Sequence, residues 1–325
     1  MNELTFTEAT HQALSKAMAE DPTIFVVGEG IGARGGNFET TAGLYEKYGP
    51  LRLCDTPICE RGFIGMCTGA AMTGTRPVVD FMFLDFILDG LGELINQTSK
   101  IQYMSSGRIR MPIVLRGCIG IGNSAATHHS GSYYPIFTHI PGFRVVLPSN
   151  PSDAKGLFTT SLQSDDPVLF LEHRELLNSR GHVPTGDYQI PFGKAAIARN
   201  GTDATIVALS VMVNRVLDIA EDLSLEGVSL EVIDPRTVAP LDVDTILNSV
   251  KKTGRLLIVD ETFMPCGIGS EIAAHITEYG LDELDAPIKR LNGAHIPTPY
   301  SPVLEQAVIP NKNSITEAIK NLIAE

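Results

Sequence analysis

The chain has no apolar run approaching the roughly 18 uncharged residues that a membrane-spanning helix needs. Its longest apolar stretch, residues 81–91, is interrupted by Asp85 and Asp89, so no membrane partner is expected. It also lacks any block of basic residues. Twenty-five Lys and Arg stand against 38 Asp and Glu, a net charge of −13, which argues against nucleic acid as a partner. Its five cysteines are odd in number and have no metal-ligand spacing, which argues against a disulfide framework and against zinc. They read instead as reduced, mostly buried thiols of a cytosolic protein. No G-x-S-x-G elbow occurs, which speaks against a serine hydrolase. The opening MNELTFTEAT carries acid where an export signal would carry base and then an apolar stretch. A cytoplasmic location is the expectation.

What is present is an α/β rhythm. At 325 residues, 43% apolar and 19% charged, the chain can bury real cores and should divide in two. Thr5 and Glu8 have capping-box spacing and predict a helix to about Ala19, stopped at Asp21-Pro22. Strand-like runs at 24–27, 52–54, 77–81, 112–115, 144–147 and 167–171 alternate with helical stretches at 62–72, 86–103 and 152–162. That alternation predicts a mostly parallel sheet with helices on both faces. Residues 174–191 turn polar, with Gly181, Pro184, Gly186 and Pro191, and then the alternation resumes. The expected organisation is a domain over 1–180, a linker over 181–193, and a second α/β domain over 194–325.

Several clusters can carry chemistry. Glu60 is a lone carboxylate between a short apolar strand and the small-residue helix GFIGMCTGAAMTG. Apolar surroundings disfavour its charged form, which suits proton exchange with a ligand nitrogen. The plainer reading is a helix-opening acid satisfied by backbone N–H groups. The glycines of 28–35 fit G-x-G-x-x-G and its alanine variant after a strand. A dinucleotide site also needs a helix starting inside the motif, and Gly35-Gly36-Asn37 interrupts one. Met82 and Phe86 follow a strand end, where a thioether and a ring can sandwich a flat heteroaromatic; core packing is the alternative. His128-His129 sits in a glycine-flanked loop, suited to donating to an anionic substrate or simply to being solvated. Ser164-Asp-Asp166 reads as a helix-ending turn that also offers oxygens to a cation.

Longer segments carry a resemblance: DTPICERGFIGMCTGAAMTGTRPVVDFM (55–82), INQTSKIQYMSSG (95–107), HIPGFRVVLPSNPSDAKGL (139–157), DPVLFLE (166–172), VIDPRTVAPLD (232–242), KKTGRLLIVDE (251–261) and PTPYSPVLE (297–305). In this order they make the chain similar, nearly end to end, to the β subunits of thiamine-diphosphate-dependent 2-oxoacid and acetoin dehydrogenases. The resemblance implies a transketolase-like pyrimidine-binding domain followed by a transketolase C-terminal-like domain. It implies that Glu60 hydrogen-bonds N1′ of the cofactor's aminopyrimidine, readying the thiazolium carbon to attack a 2-oxo acid or acetoin. Ile58, Met82 and Phe86 match positions lining the aminopyrimidine pocket, and His129 matches the histidine beside the reacting carbon. The acyl group would pass to the lipoyl arm of an acyltransferase core. In some relatives, oxygens at positions matching Ile113, Ser161, Leu162, Ser164 and Asp166 hold a potassium ion.

An absence completes that picture. Relatives sharing the cofactor hold Mg2+ and diphosphate with a Gly-Asp-Gly motif, which occurs nowhere in the 325 residues. The resemblance therefore implies an α subunit carrying that motif, in an α2β2 assembly with a second copy of this chain. The chain departs from the family's pattern at Gly92-Glu-Leu-Ile-Asn96, after Glu172, and in the loop 117–128, where substrate or partner contacts are expected. Two rivals remain at this point: a split transketolase-like carboligase subunit without lipoyl transfer, and a dinucleotide-binding or scaffolding subunit using 28–35.

Overall fold

The computed structural model describes residues 1–325. Two compact units emerge, one formed by Met1–Gly120 with Ile136–Phe192 and the other by Ile121–Pro135 with Gly193–Glu325. The expected 1–180 domain and 181–193 linker differ from this division at two segments: Ile121–Pro135 belongs with the second unit, and 181–192 belongs with the first.

The first unit is built on six parallel strands. Their spatial order is Arg144–Val146, Val168–His173, Val114–Ile119, Arg76–Phe83, Ile24–Gly28 and Leu53–Asp55. Period-2 alternation sends Val26, Val78, Val114 and Phe170 into a core shared with the helices Phe6–Glu20 and Pro151–Gln163. The intervening Val27, Val79 and Leu115 are fully buried as well. A sheet buried on both faces explains why these strands read as continuous Val, Ile and Leu runs. Each such side chain contributes about 1.5–3 kcal/mol of burial. The first helix opens as its sequence implies: the Thr5 hydroxyl accepts the Glu8 N–H at 3.1 Å, and the Glu8 carboxylate accepts the Thr5 N–H at 2.7 Å. A two-stranded antiparallel ribbon, Asn2–Thr5 with Arg180–Val183, was not legible in the sequence.

The second unit has its own sheet, ordered Lys289–Gly293, Leu256–Phe263, Ala204–Ala208, Leu230–Asp234 and Ala196–Arg199. All of its pairings are parallel except the last, which places an antiparallel strand at one edge. Helices Val211–Ser224 and Val243–Thr253 bury Val216, Ile219, Leu223, Ile246 and Val250.

Two local expectations need correction. The single helix expected over 86–103 is broken into a 3-10 segment Leu84–Gly90, a helical turn Leu91–Glu93, a π segment Leu94–Thr98 and a last turn Ile101–Met104. Gly90 lies so close to the Ile64 side chain that a Cβ there would collide with it, which constrains the segment's path. The thiols are also less buried than expected. Cys67 and Cys118 are buried and Cys54 is half-buried, but Cys59 and Cys266 are exposed, and all are free. Burial pushes the Cys67 and Cys118 thiols up to about 12.

Candidate active site

Three neighbouring parallel strands, Ile24–Gly28, Leu53–Asp55 and Arg76–Phe83, end together, and open α/β sheets bind ligands beyond such carboxyl ends. Glu60 lies just past the second of them as the first residue of the helix Glu60–Met72, with only 5% of its surface exposed. Glu29, immediately after the first, joins it. The Glu29 carboxyl is raised above its ordinary range, first by burial and then by the negative charges of Glu60 and Asp55. Asp55 in turn accepts the Gly30 N–H at 2.6 Å.

The third strand end is shaped by Asp80. Its buried carboxylate accepts the Met82 N–H at 2.9 Å and the Thr40 hydroxyl at 2.9 Å. The register to the neighbouring strand shifts between Asp80 and Phe83, and Met82 takes a φ of 58°. Such a bulge re-aims a side chain. The Met82 sulfur accepts from the Asn37 amide, so Asp80 and Asn37 together set the thioether. Phe86 follows in the 3-10 segment and meets Phe83 edge-on at 6.1 Å; Phe83 meets Phe38 in the same manner at 5.4 Å. Ile58 is 81% exposed, so within this chain that apolar side chain has no cover.

Asn37 Oδ1 and Thr56 Oγ1 are buried here with no hydrogen-bond partner. Unsatisfied buried polar atoms of this kind call for a missing group. A flat, nitrogen-bearing ring fits the donor set: a carboxyl at Glu60, a thioether at Met82, a ring at Phe86, and spare acceptors at Asn37 and Thr56.

His129 is carried by the second unit, in the 3-10 turn Thr127–His129. It is half-buried, whereas His128 is exposed. The loop leading to it holds Asn123, Ser124 and Ala126 at φ of 56°, 54° and 62°, conformations that L residues seldom adopt.

Comparison with known proteins now decides the family. Residues 2–180 match the model of the transketolase pyrimidine binding domain, and residues 193–315 match that of the transketolase C-terminal domain. The chain is 41% identical to the acetoin:2,6-dichlorophenolindophenol oxidoreductase subunit beta of Bacillus subtilis (strain 168), over 99% of this chain and 98% of that protein. It is 40% identical to the pyruvate dehydrogenase E1 component subunit beta of Rickettsia bellii (strain RML369-C), over 98% of each. The 2-oxoisovalerate dehydrogenase subunit beta of Bacillus subtilis (strain 168) is 41% identical over 99% of each. The chain belongs to this family of dehydrogenase β subunits. A solved split-gene transketolase, an inactive beta4 tetramer, superposes with a TM-score of 0.80 at 19% identity. It covers 99% of this chain and 98% of its own, a likeness of fold alone.

Within the family frame, the glycine-rich segment 28–35 is no dinucleotide fingerprint. After the strand Ile24–Gly28 the next helix is the five-residue Leu44–Tyr48, so no helix starts inside the motif. Gly28 is needed for another reason: a Cβ there would collide with the Asp80 backbone carbonyl. The potassium positions are partly committed elsewhere. The carbonyls of Leu162 and Ser164 accept from the Arg76 guanidinium at 3.2 and 2.8 Å. The Ile113 carbonyl accepts the Val168 N–H at 2.9 Å, the Ser161 hydroxyl donates to the Leu157 carbonyl at 2.7 Å, and the Asp166 carboxylate is held by Arg144 at 2.7 Å. A guanidinium already supplies positive charge there, and a cation would draw on the carbonyls' second lone pairs and on Asp166 Oδ1, since Arg144 binds only Oδ2.

Sequence reasoning missed Glu29, Asp80 and Asn37. Glu29 and Asp80 each carried a signal, an acid at or just past the end of an apolar strand. Asn37 carried none.

Proposed function

We propose that this chain is the β subunit of a thiamine-diphosphate-dependent dehydrogenase component that cleaves the bond beside the carbonyl of a 2-oxo acid or acetoin and passes the acyl group to a lipoyl arm. The observation that carries this reading is the placement of Glu60: a buried carboxyl just past one of three neighbouring strand ends, with Met82 on the strand two places away, Phe86 just after it, and unsatisfied atoms on Asn37 and Thr56. Relatives about 40% identical over the whole length, named for acetoin, pyruvate and 2-oxoisovalerate, support it.

Thiamine diphosphate, when bound, supplies a carbon nucleophile and a sink for the electron pair left by carbon–carbon cleavage. Glu60 holds the proton shared with the pyrimidine nitrogen N1′. Met82, fixed by Asp80 and Asn37, and Phe86 form the walls against which the ring lies, and Ile58 closes a further side. His129 donates a hydrogen bond to the anionic oxygen that develops on the substrate.

The chain has no Gly-Asp-Gly segment, so Mg2+ and the diphosphate fall to an α subunit in an α2β2 assembly. Exposed Leu51, Ile58, Met66, Tyr103 and Met104 supply apolar surface for it and for a second copy of this chain. An acyltransferase core as acceptor, a cytoplasmic setting and a potassium ion at Ile113, Ser161, Leu162, Ser164 and Asp166 complete the proposal. Potassium would show as a rise in the thermal midpoint specific to K+ over Na+.

The test is to purify the chain with its α subunit and assay pyruvate, 2-oxoisovalerate and acetoin, using thiamine diphosphate and dichlorophenolindophenol. Turnover of at least one, dependent on thiamine diphosphate, is expected. Product formation from aldehyde acceptors alone would favour the carboligase instead.

A further inference from the structure

The loop that bears His129 is held at both ends by one strand terminus of the second unit. At its start the Ile121 N–H donates to Glu261 Oε1 at 2.8 Å, and the next N–H, of Gly122, donates to Glu305 Oε1 at 3.1 Å. At its end the Tyr134 hydroxyl donates to Asp260. Asp260 is itself fixed by the Thr262 hydroxyl at 2.5 Å and the Thr262 N–H at 3.1 Å. Beside the histidine turn, the Thr127 hydroxyl donates to the Thr298 carbonyl at 3.0 Å.

Against this loop lies a cavity of about 350 Å³ lined by Thr127, Ser130–Tyr133, Phe263, His295 and Thr298 among others. Ser130 and Ser132 hydroxyls there have no partner. The left-handed Asn123, Ser124 and Ala126 are conformations that persist only where the surroundings over-determine them. The polar tethers at the two ends of the loop are fixed points of that kind.

We propose that Glu261, together with Glu305, is a positioning residue: its carboxylate, by accepting the N–H at the root of the loop, fixes where His129 stands. Neither residue touches the substrate; each acts through His129. The inference rests on the catalytic role given to His129 above. A histidine displaced by about an ångström loses on the order of 10²-fold in rate. Both carboxylates accept through one oxygen in these bonds, so an amide of the same shape can keep them, whereas alanine cannot.

The experiment is a double-mutant cycle in the assembled enzyme. Glu261→Ala and Glu305→Ala should each lower kcat about 10- to 100-fold with KM changed less than about threefold. Glu261→Gln and Glu305→Gln should recover most of that loss. In the His129→Ala background, Glu261→Ala should cost less than about threefold more, because the group it positions is gone. A purely structural role would cost the same in both backgrounds, so an additive cycle overturns the inference, as does full activity in Glu261→Ala with His129→Ala inactive. If His129→Ala itself turns over normally, the functional reading of that residue fails, and this inference fails with it. Gel filtration and thermal midpoints of the Gln variants separate loss of folding from loss of positioning.

Discussion

Arg116 and Glu172 form a two-point ion pair, Nε to Oε2 at 2.5 Å and Nη2 to Oε1 at 2.8 Å, with side chains 2% and 4% exposed. They stand on adjacent parallel strands, Val114–Ile119 and Val168–His173, and Arg116 also donates to the Thr10 hydroxyl at 2.8 Å. A buried pair adds little net stability, but removing one partner strands the other's charge. Glu172→Ala should therefore lower unfolding stability by about 3–5 kcal/mol, read by urea denaturation. Replacing both, with Met at 116 and Leu at 172, should recover most of it. A single Glu172→Ala as stable as the parent would show that the pair contributes no constraint.

Glu60→Gln keeps the size of the side chain and its place at the opening of the helix, and removes the exchangeable carboxyl proton. Its expected effect is a loss of about 10²–10⁴ in kcat, the range for a lost acid–base group, with assembly unchanged on gel filtration. Near-normal turnover in Glu60→Gln would remove the carboxyl from the chemistry.

Glu29 predicts a pH dependence. Its folded-state carboxyl lies above the unfolded value, because burial and the charges of Glu60 and Asp55 disfavour ionisation. The native state therefore holds more proton than the unfolded chain between those two values, and stability falls as pH rises through that window. Glu29→Gln should flatten this part of the stability–pH profile and leave the variant relatively more stable at neutral pH. Thermal midpoints across mildly acidic to neutral pH would read it, and an unchanged slope would contradict it.

How much of this was legible in the sequence follows from where each determinant lies. The helix start at Thr5, the alternation of strands and the position of Glu60 depend on neighbours within a few residues, and periodicity exposes them. The bulge that aims Met82 depends on a buried Asp80 and on the register to a neighbouring strand. The attachment of Ile121 and Gly122 to Glu261 and Glu305 spans 140 and 183 residues. No local pattern reports such contacts. Gly90, within the broken stretch 84–104, likewise answers to another element, since a Cβ there would collide with Ile64.

Gly69 separates the chain's own folding from its assembly. It lies inside the helix Glu60–Met72, on the exposed face that also carries Gly62, Gly65 and Met66. A Cβ at Gly69 would meet nothing within 4 Å in this chain, and a helix-interior glycine costs about 1 kcal/mol relative to alanine. Nothing within the chain therefore calls for glycine there. Gly69→Ala should raise the stability of the isolated subunit by about 1 kcal/mol, read by urea denaturation. If this face packs closely against a second subunit, the same methyl group should weaken assembly, read as an increased dissociation constant by analytical ultracentrifugation. A variant that is both more stable alone and equally well assembled would mean that the glycine face is not where the subunits meet.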